Sequence, residues 1–212
     1  MILPMFPLQS IFFPGETVPL HVFEDRYKEL INDCRNEAIT FGIPVFFDGQ
    51  INYGIEAQLV EVVTSYEGGE MDVVCIARQV FVVEDFNRKA NGKLYPSGKV
   101  TFLELDYVAD EKLKKDVLKG IEELYSLMGT AFTPIAISKF NSYMLAHKIG
   151  LSFKQEYKLL QITKEQDRFI FLKKHLLQTI TVLEEVNRTK KTIELNGHFR
   201  NFDPLDFDGF ED

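Results

Sequence analysis

The chain has 212 residues, of which 45% are apolar and 26% charged, and a formal net charge of −8. This is the composition of an ordinary globular protein, which excludes disorder throughout. No run approaches the ~18 uncharged apolar residues of a membrane-spanning helix. The phosphate-loop pattern GxxxxGK[ST] of ATPases is missing,. At roughly 100–200 residues per domain, the length allows one domain, or one compact domain with a helical extension.

The N-terminal half reads mainly as β structure. Met1 to Pro7 carries no basic segment and is interrupted by Pro4 and Pro7, so it is not a secretory signal,. Thr17–Val22 and Thr40–Phe47 are apolar runs of strand length. Between them, Tyr27, Leu30, Ile31 and Cys34 fall at helical spacing, with Glu24 and Asp25 placed for the first turn,. From Ile55, alternation of Ile55, Ala57 and Leu59 with polar residues predicts a half-buried strand,. Tyr66-Glu67-Gly68-Gly69-Glu70 then supplies a turn, and Met71, Val73, Cys75 and Ala77 line the returning strand,. Asn87–Gly98 reads as an exposed loop and Val100–Tyr107 as a last strand. Five or six short strands with one early helix suggest a small, strongly bent sheet or a partly open barrel.

The character changes after residue 108. Leu113, Val117, Ile121, Leu124 and Met128 repeat at helical spacing, and Gly129 is placed to stop that helix,. Ser138 is placed to cap a helix carrying Phe140, Met144 and Leu145. Ser152 to Gln155 is a capping-box pattern, which Thr163 to Gln166 repeats before the longest stripe, Phe169, Leu172, Leu176, Ile180 and Leu183,. Four helices joined by short loops are expected. Residues 193–212 have no period and hold Phe199, Phe202, Phe207 and Phe210 among acids.

Charge is unevenly spread: residues 1–110 carry net −9, residues 111–200 net +6 and residues 201–212 net −5. The acidic first half speaks against nucleic acid as a partner, since phosphates need basic surface. Cys34 and Cys75 are too few for a disulfide scaffold or a cysteine zinc site and read as reduced core thiols of a cytoplasmic protein,. His21, His147, His175 and His198 form no local metal motif,. No cofactor is called for. Among serines, Ser10, Ser138, Ser142 and Ser152 lie outside any GxSxG elbow, and no nucleophile–base pair is apparent, so no catalytic residue is assigned,.

The N-terminus carries the specific signal. It runs Phe6-Pro7-Leu8-Gln9, Phe13-Pro14-Gly15-Glu16, then Pro19-Leu20-His21-Val22-Phe23-Glu24, Arg26-Tyr27, Leu30 and Cys34. Pro14-Gly15 is a tight turn between extended segments, and Pro19 requires an edge or unpaired position. This arrangement resembles the N-terminal, substrate-binding domain of Lon proteases, a domain also found in cereblon and in free-standing bacterial proteins. Gly54 to Ala57, Phe81 to Glu84, Leu151 to Leu160 and the helix after Thr163 extend the resemblance over about residues 1–190. The Ala77-Arg78-Gln79-Val80-Phe81 stretch departs from the family's usual Gly before the Arg-Phe strand, and residues 193–212 match nothing in it.

The resemblance implies an α+β fold: a PUA-like small β-barrel over residues 1–108, a helical subdomain over 109–190 and an acidic, phenylalanine-containing tail over 191–212. It also implies a non-catalytic module that binds unfolded or exposed apolar polypeptide segments, with a protease or chaperone as a possible partner. The ATPase and Ser-Lys protease modules of full Lon proteases and the paired CxxC zinc domain of cereblon have no counterpart in these 212 residues. The alternative reading is a PUA-like protein that binds small molecules or RNA. Phe12, Phe13 and Tyr53 are the candidate peptide contacts. Phe199, Phe202, Phe207 and Phe210 are candidate elements of a built-in tail ligand, drawn by charge toward the basic helical block.

Overall fold

The computed structural model describes the backbone of residues 1–199 and the side chains of residues 1–194. Six strands form one antiparallel sheet: β1 (Ile2–Pro4), β2 (Thr17–Val22), β3 (Phe41–Phe47), β4 (Gln50–Ser65), β5 (Met71–Asn87) and β6 (Ser97–Phe102). The order is β1-β6-β5-β4-β3, with β2 on β5 beside β6. The 17-residue β5 is long enough to hold both: residues 71–76 pair with β2 and residues 81–87 with β6. Pro19 sits within β2, which has β5 as its one strand partner among the described residues. An edge position suits a residue with no N–H to give.

The sheet is mixed with four α-helices, as expected for an α+β chain, but its ladder does not close into a barrel. The gap between β1 and β3 is crossed by two isolated parallel bridges, Met5–Gly42 and Leu8–Val45. The sheet bends sharply because register shifts interrupt the β3–β4, β4–β5 and β5–β6 pairings, and each bulge adds local twist,. The buried ring of Phe81 lies against two glycines. A Cβ on Gly54 would stand 2.6 Å from the Ile43 carbonyl oxygen and from this ring, and one on Gly42 would stand 2.8 Å from the ring. Only a residue without a side chain lets the ring and the backbone approach so closely.

Helix α1 (Asp25–Glu37) buries Tyr27, Leu30, Ile31 and Cys34, the stripe its spacing predicts. Arg26 reaches back to Glu24 at 2.6 Å. Asp33 accepts from Lys93 and Tyr95, each at 2.6 Å, and so ties the 88–96 loop to the helix. These hydrogen bonds, Lys93 first, hold the Asp33 carboxyl below its ordinary range. Cys34 and Cys75 are buried free thiols whose pKa burial pushes up to about 12.

Helix α2 (Glu111–Leu127), α3 (Phe153–Gln161) and α4 (Glu165–Phe199) complete the fold. Ser152 and Gln155 cap α3 reciprocally, as the pattern predicts. The helix expected over Phe140–Leu145 does not form. Two 3₁₀ turns, Ile137–Lys139 and Ala146–Lys148, stand on either side of irregular chain. The reason lies in where the amides go. Tyr143 N–H donates to the Asn141 side chain at 3.0 Å, and Ser142 N–H donates to the Glu165 carboxylate at 2.9 Å. Side-chain acceptors thus replace the carbonyls a helix would use. The last strand is likewise shorter than expected: after Leu103 N–H bonds Val80 at 2.8 Å, Asp106 pairs with the start of α4 instead of with the sheet.

The described chain forms two compact units, one of Met1–Val108 with Asn141–Arg168, the other of Ala109–Phe140 with the chain from Phe169 onward. In the second, α2 buries Val117, Leu118, Ile121 and Leu124, and α4 buries Phe169, Leu172, Leu176 and Ile180. Gly120 brings α2 close to α4: its missing Cβ would lie 3.4 Å from Leu176 Cδ1.

The first unit has a charged core. Arg168 and Glu165 are fully buried and bonded at 2.7 Å. The guanidinium also donates to the Ser142 hydroxyl (2.9 Å) and to the carbonyls of Asp106 (2.6 Å), Ile162 (2.7 Å) and Thr163 (2.9 Å). It lies against the rings of Tyr107 and Tyr143 at 5.4 and 4.7 Å.

Two stability measurements follow from this packing. Replacing Leu176 by Ala should cost roughly 2–5 kcal/mol in urea unfolding, since the side chain is 2% exposed,. A loss below about 0.5 kcal/mol would place that face in solvent. Arg168→Met should cost about 3–5 kcal/mol, because it strands a buried Glu165 carboxylate, and Arg168→Met with Glu165→Leu should recover much of the loss.

Candidate functional site

In the first unit, the segment from Gln9 to Thr17 and the stretch from Met144 to Glu156 line an open groove of about 650 Å³. Apolar side chains from both flank it: Phe12 and Phe153 are half-buried, and Met144 remains 44% exposed. Pro14-Gly15 makes the turn the sequence predicts, with Glu16 N–H donating to Phe13 at 3.1 Å. The Glu16 carboxylate turns back to accept from Phe13 N–H at 2.8 Å.

His147 fastens the groove. One ring nitrogen lies 3.2 Å from Glu16 and the other 2.8 Å from Glu156, so three separate segments meet at one imidazole. The two carboxylates, Glu16 above all, raise the His147 pKa to about 9. At neutral pH the ring is therefore a cation that donates from both nitrogens. A ring in this state has no lone pair for a metal, nor for taking a proton from Ser10, the serine that lines the same groove,. Among the described residues, no group of three or more His, Cys, Asp or Glu side chains could hold a metal ion. No helix among them is long and apolar enough to cross a membrane.

The structure separates the residues singled out by sequence. Phe12 lines the groove. Phe13 does not offer an exposed contact: it is fully buried, stacked on Tyr143 at 5.0 Å and 4.9 Å from the His147 ring. The adjacent phenylalanines point to opposite sides of the segment, and Phe13 supports the groove from beneath. Tyr53, in β4, is half-buried and meets Tyr157 edge-on at 6.0 Å. Tyr157 and Phe153 both pack on Phe47 of β3, at 5.1 and 5.4 Å, so Tyr53 connects to the groove through other rings. The side chains of Phe199, Phe202, Phe207 and Phe210 lie outside the described residues. Sequence reasoning missed His147, Met144, Phe153, Glu16 and Glu156. His147 and Glu16 are 131 positions apart, and no local spacing signals such a pair.

The His147 tie gives a pH dependence with a definite sign. The ordinary histidine value is 6.5 and the folded value about 9, so the stabilisation is complete below pH 6.5 and is lost as pH rises through 9,. The side chain keeps 36% of its surface, and solvent screening reduces the effect to about 1 kcal/mol,. Relative to the wild type, His147→Gln should be less stable at pH 6 and equally stable near pH 10. A stability difference independent of pH would show that the charge of the ring contributes nothing.

Residues 2–178 match the family model for the ATP-dependent protease La (LON) substrate-binding domain. No curated protein matches the chain. Among solved structures, it is similar to the Lon N-terminal domain protein from Xanthomonas campestris, with 26% identity and a TM-score of 0.61 over 81% of this chain and 96% of that one. It also matches the N-terminal domain of the Mycobacterium avium complex Lon protease, at 14% identity and a TM-score of 0.62 over 83% and 98% of the two chains; at that identity the likeness is one of fold. The family match spans most of the sequence and the fold agrees with both structures, so the chain belongs to the Lon substrate-binding domain family.

Proposed function

We propose that the chain is a non-catalytic polypeptide-binding module that captures unfolded or exposed apolar segments in the groove between Gln9–Thr17 and Met144–Glu156. The observation that carries this reading is the pairing of exposed apolar walls with a fixed frame. Phe12, Met144 and Phe153 offer surface that a ligand can cover, while the Glu16–His147–Glu156 tie holds the walls in place before binding. A preformed groove spares the ligand the cost of ordering the protein. Family membership supports a substrate-binding role, and the bound segment would be passed to a partner protease or chaperone.

The chemistry of the groove favours peptide over RNA. Its charged lining consists of Glu16, Glu156, His147 and Lys148, which sum to zero when His147 is protonated. Phosphate binding needs an excess of cations. Catalysis is disfavoured by the same ring, since an imidazolium held by two carboxylates is not a general base at neutral pH.

The test is the affinity of the full chain for a permanently unfolded protein, such as reduced carboxymethylated α-lactalbumin, followed by fluorescence anisotropy. Phe12→Asp and Met144→Asp should each weaken binding by about tenfold or more, as truncation of a central apolar contact does. Val108→Asp, at a site 76% exposed and away from the groove, should leave binding unchanged. Equal binding by all four proteins would remove the groove from the function, and preference for a single-stranded RNA over the unfolded protein would replace the reading.

A further inference from the structure

We infer that the groove reads its ligand through the backbone of Gln9 to Phe12, and that it therefore selects an extended, uncharged segment with apolar residues at alternate positions. This rests on the polypeptide-binding reading above and specifies the ligand that the same site takes.

The argument starts from hydrogen bonds. The N-terminal chain pairs with β3 as far as Leu8: Phe6 N–H donates to Gly42 (2.8 Å), Leu8 N–H to Pro44 (3.2 Å) and Phe46 N–H to Leu8 (2.9 Å). Pairing resumes at Phe13, whose N–H is taken by Glu16. Between these points, residues 9–12 lie in neither helix nor strand. Among the described residues, no hydrogen bond engages a backbone N–H or C=O of this stretch. Three consecutive peptide units on a groove wall, from the Gln9 carbonyl to the Phe12 N–H, are thus left to water or to a ligand, with Gln9 and Ser10 exposed, Phe12 half-buried and Ile11 buried between them. A backbone polar group covered by a ligand must be paired or it costs free energy, so whatever covers this wall must bring donors and acceptors at peptide spacing.

That requirement decides the conformation of the ligand. A helix has already spent its backbone groups internally, whereas an extended segment offers an N–H and a C=O on each side at alternate residues. In this geometry alternate side chains face the protein, and the surfaces they meet are Phe12, Met144 and Phe153. Charge sets the remaining preference. Glu16 and Glu156 each give an oxygen to His147, and Lys148 balances the remaining charge, so a cationic side chain gains no net attraction. The lining as a whole is neutral, so an anionic one gains no net attraction.

The experiment uses a blocked heptapeptide of alternating valine and serine around a central phenylalanine. Two further versions carry N-methyl groups on the odd or on the even backbone amides. With the full-length chain, one methylated version should bind at least about tenfold more weakly than the parent and the other like the parent, because only one set of amides faces the protein. Raising salt from about 0.05 to 0.5 M should change the parent's affinity by less than about twofold. Parent and both methylated peptides binding alike would overturn the backbone readout, and so would binding of unfolded α-lactalbumin with no binding of the parent peptide. In both results the broader polypeptide-binding reading survives. Failure of the unfolded protein and all peptides to bind would overturn both.

Discussion

The buried guanidinium of Arg168 is the constraint on which the first unit turns. A fully desolvated cation is tolerable only if every donor is used, and here the acceptors come from four places in the chain: Asp106, Ser142, Ile162–Thr163 and Glu165,. Satisfying the cation therefore fixes where the 141–150 stretch must run. Its consequences pass outward by ring contacts. Tyr143 lies on the guanidinium, Phe13 stacks on Tyr143, and His147 lies against Phe13 while holding Glu16 and Glu156. The groove is in this sense the outer face of a charged core, and its two walls meet above a stack whose lowest member is one arginine.

This dependence explains which parts of the molecule were legible in the sequence. Elements whose stability comes from their own period were readable: the α1 stripe, the β4–β5 hairpin with its Gly-Gly turn, the Ser152–Gln155 cap and the α4 stripe to Ile180 all stand where the spacing puts them. The stretch around Phe140–Leu145 was misread because its apolar spacing is helical while its amides are claimed by Asn141 and by Glu165, 23 residues away from Ser142. Phe12 and Phe13 show the same limit at single-residue scale. Both are aromatic and adjacent, and only the buried stack tells which of them faces the groove. The Glu16–His147 contact joins the two ends of the unit and leaves no trace in local composition.

A serine, a histidine and two glutamates around one groove invite a catalytic reading, and the geometry answers it. In a nucleophilic triad one imidazole nitrogen must accept a proton while the other donates to a carboxylate. Here each nitrogen faces its own carboxylate, and the raised pKa leaves the ring doubly protonated across the neutral range. The same residue types that would activate a nucleophile when asymmetrically arranged act as a brace when arranged symmetrically. Carboxylates on both sides of the ring turn a potential base into a fixed cation.

For the extended segment proposed as ligand, a braced, open and electrically neutral groove sets a ceiling on affinity. Partial burial of three apolar side chains contributes roughly 1–2 kcal/mol each, and two or three backbone hydrogen bonds about 1 kcal/mol each. Loss of translational and rotational freedom costs at least about 4 kcal/mol. The remainder is about 1–5 kcal/mol, which corresponds to dissociation constants no tighter than about 0.2 mM for a single segment. With a neutral lining, electrostatic steering would add little to the association rate, so exchange of the proposed ligand would be governed by how fast an extended segment peels from one short wall. If the groove takes the segment proposed above, it would hold it briefly and release it without an energy source. A deeper pocket or a net charge would bind more tightly, at the expense of discriminating among the many sequences that an unfolded chain displays.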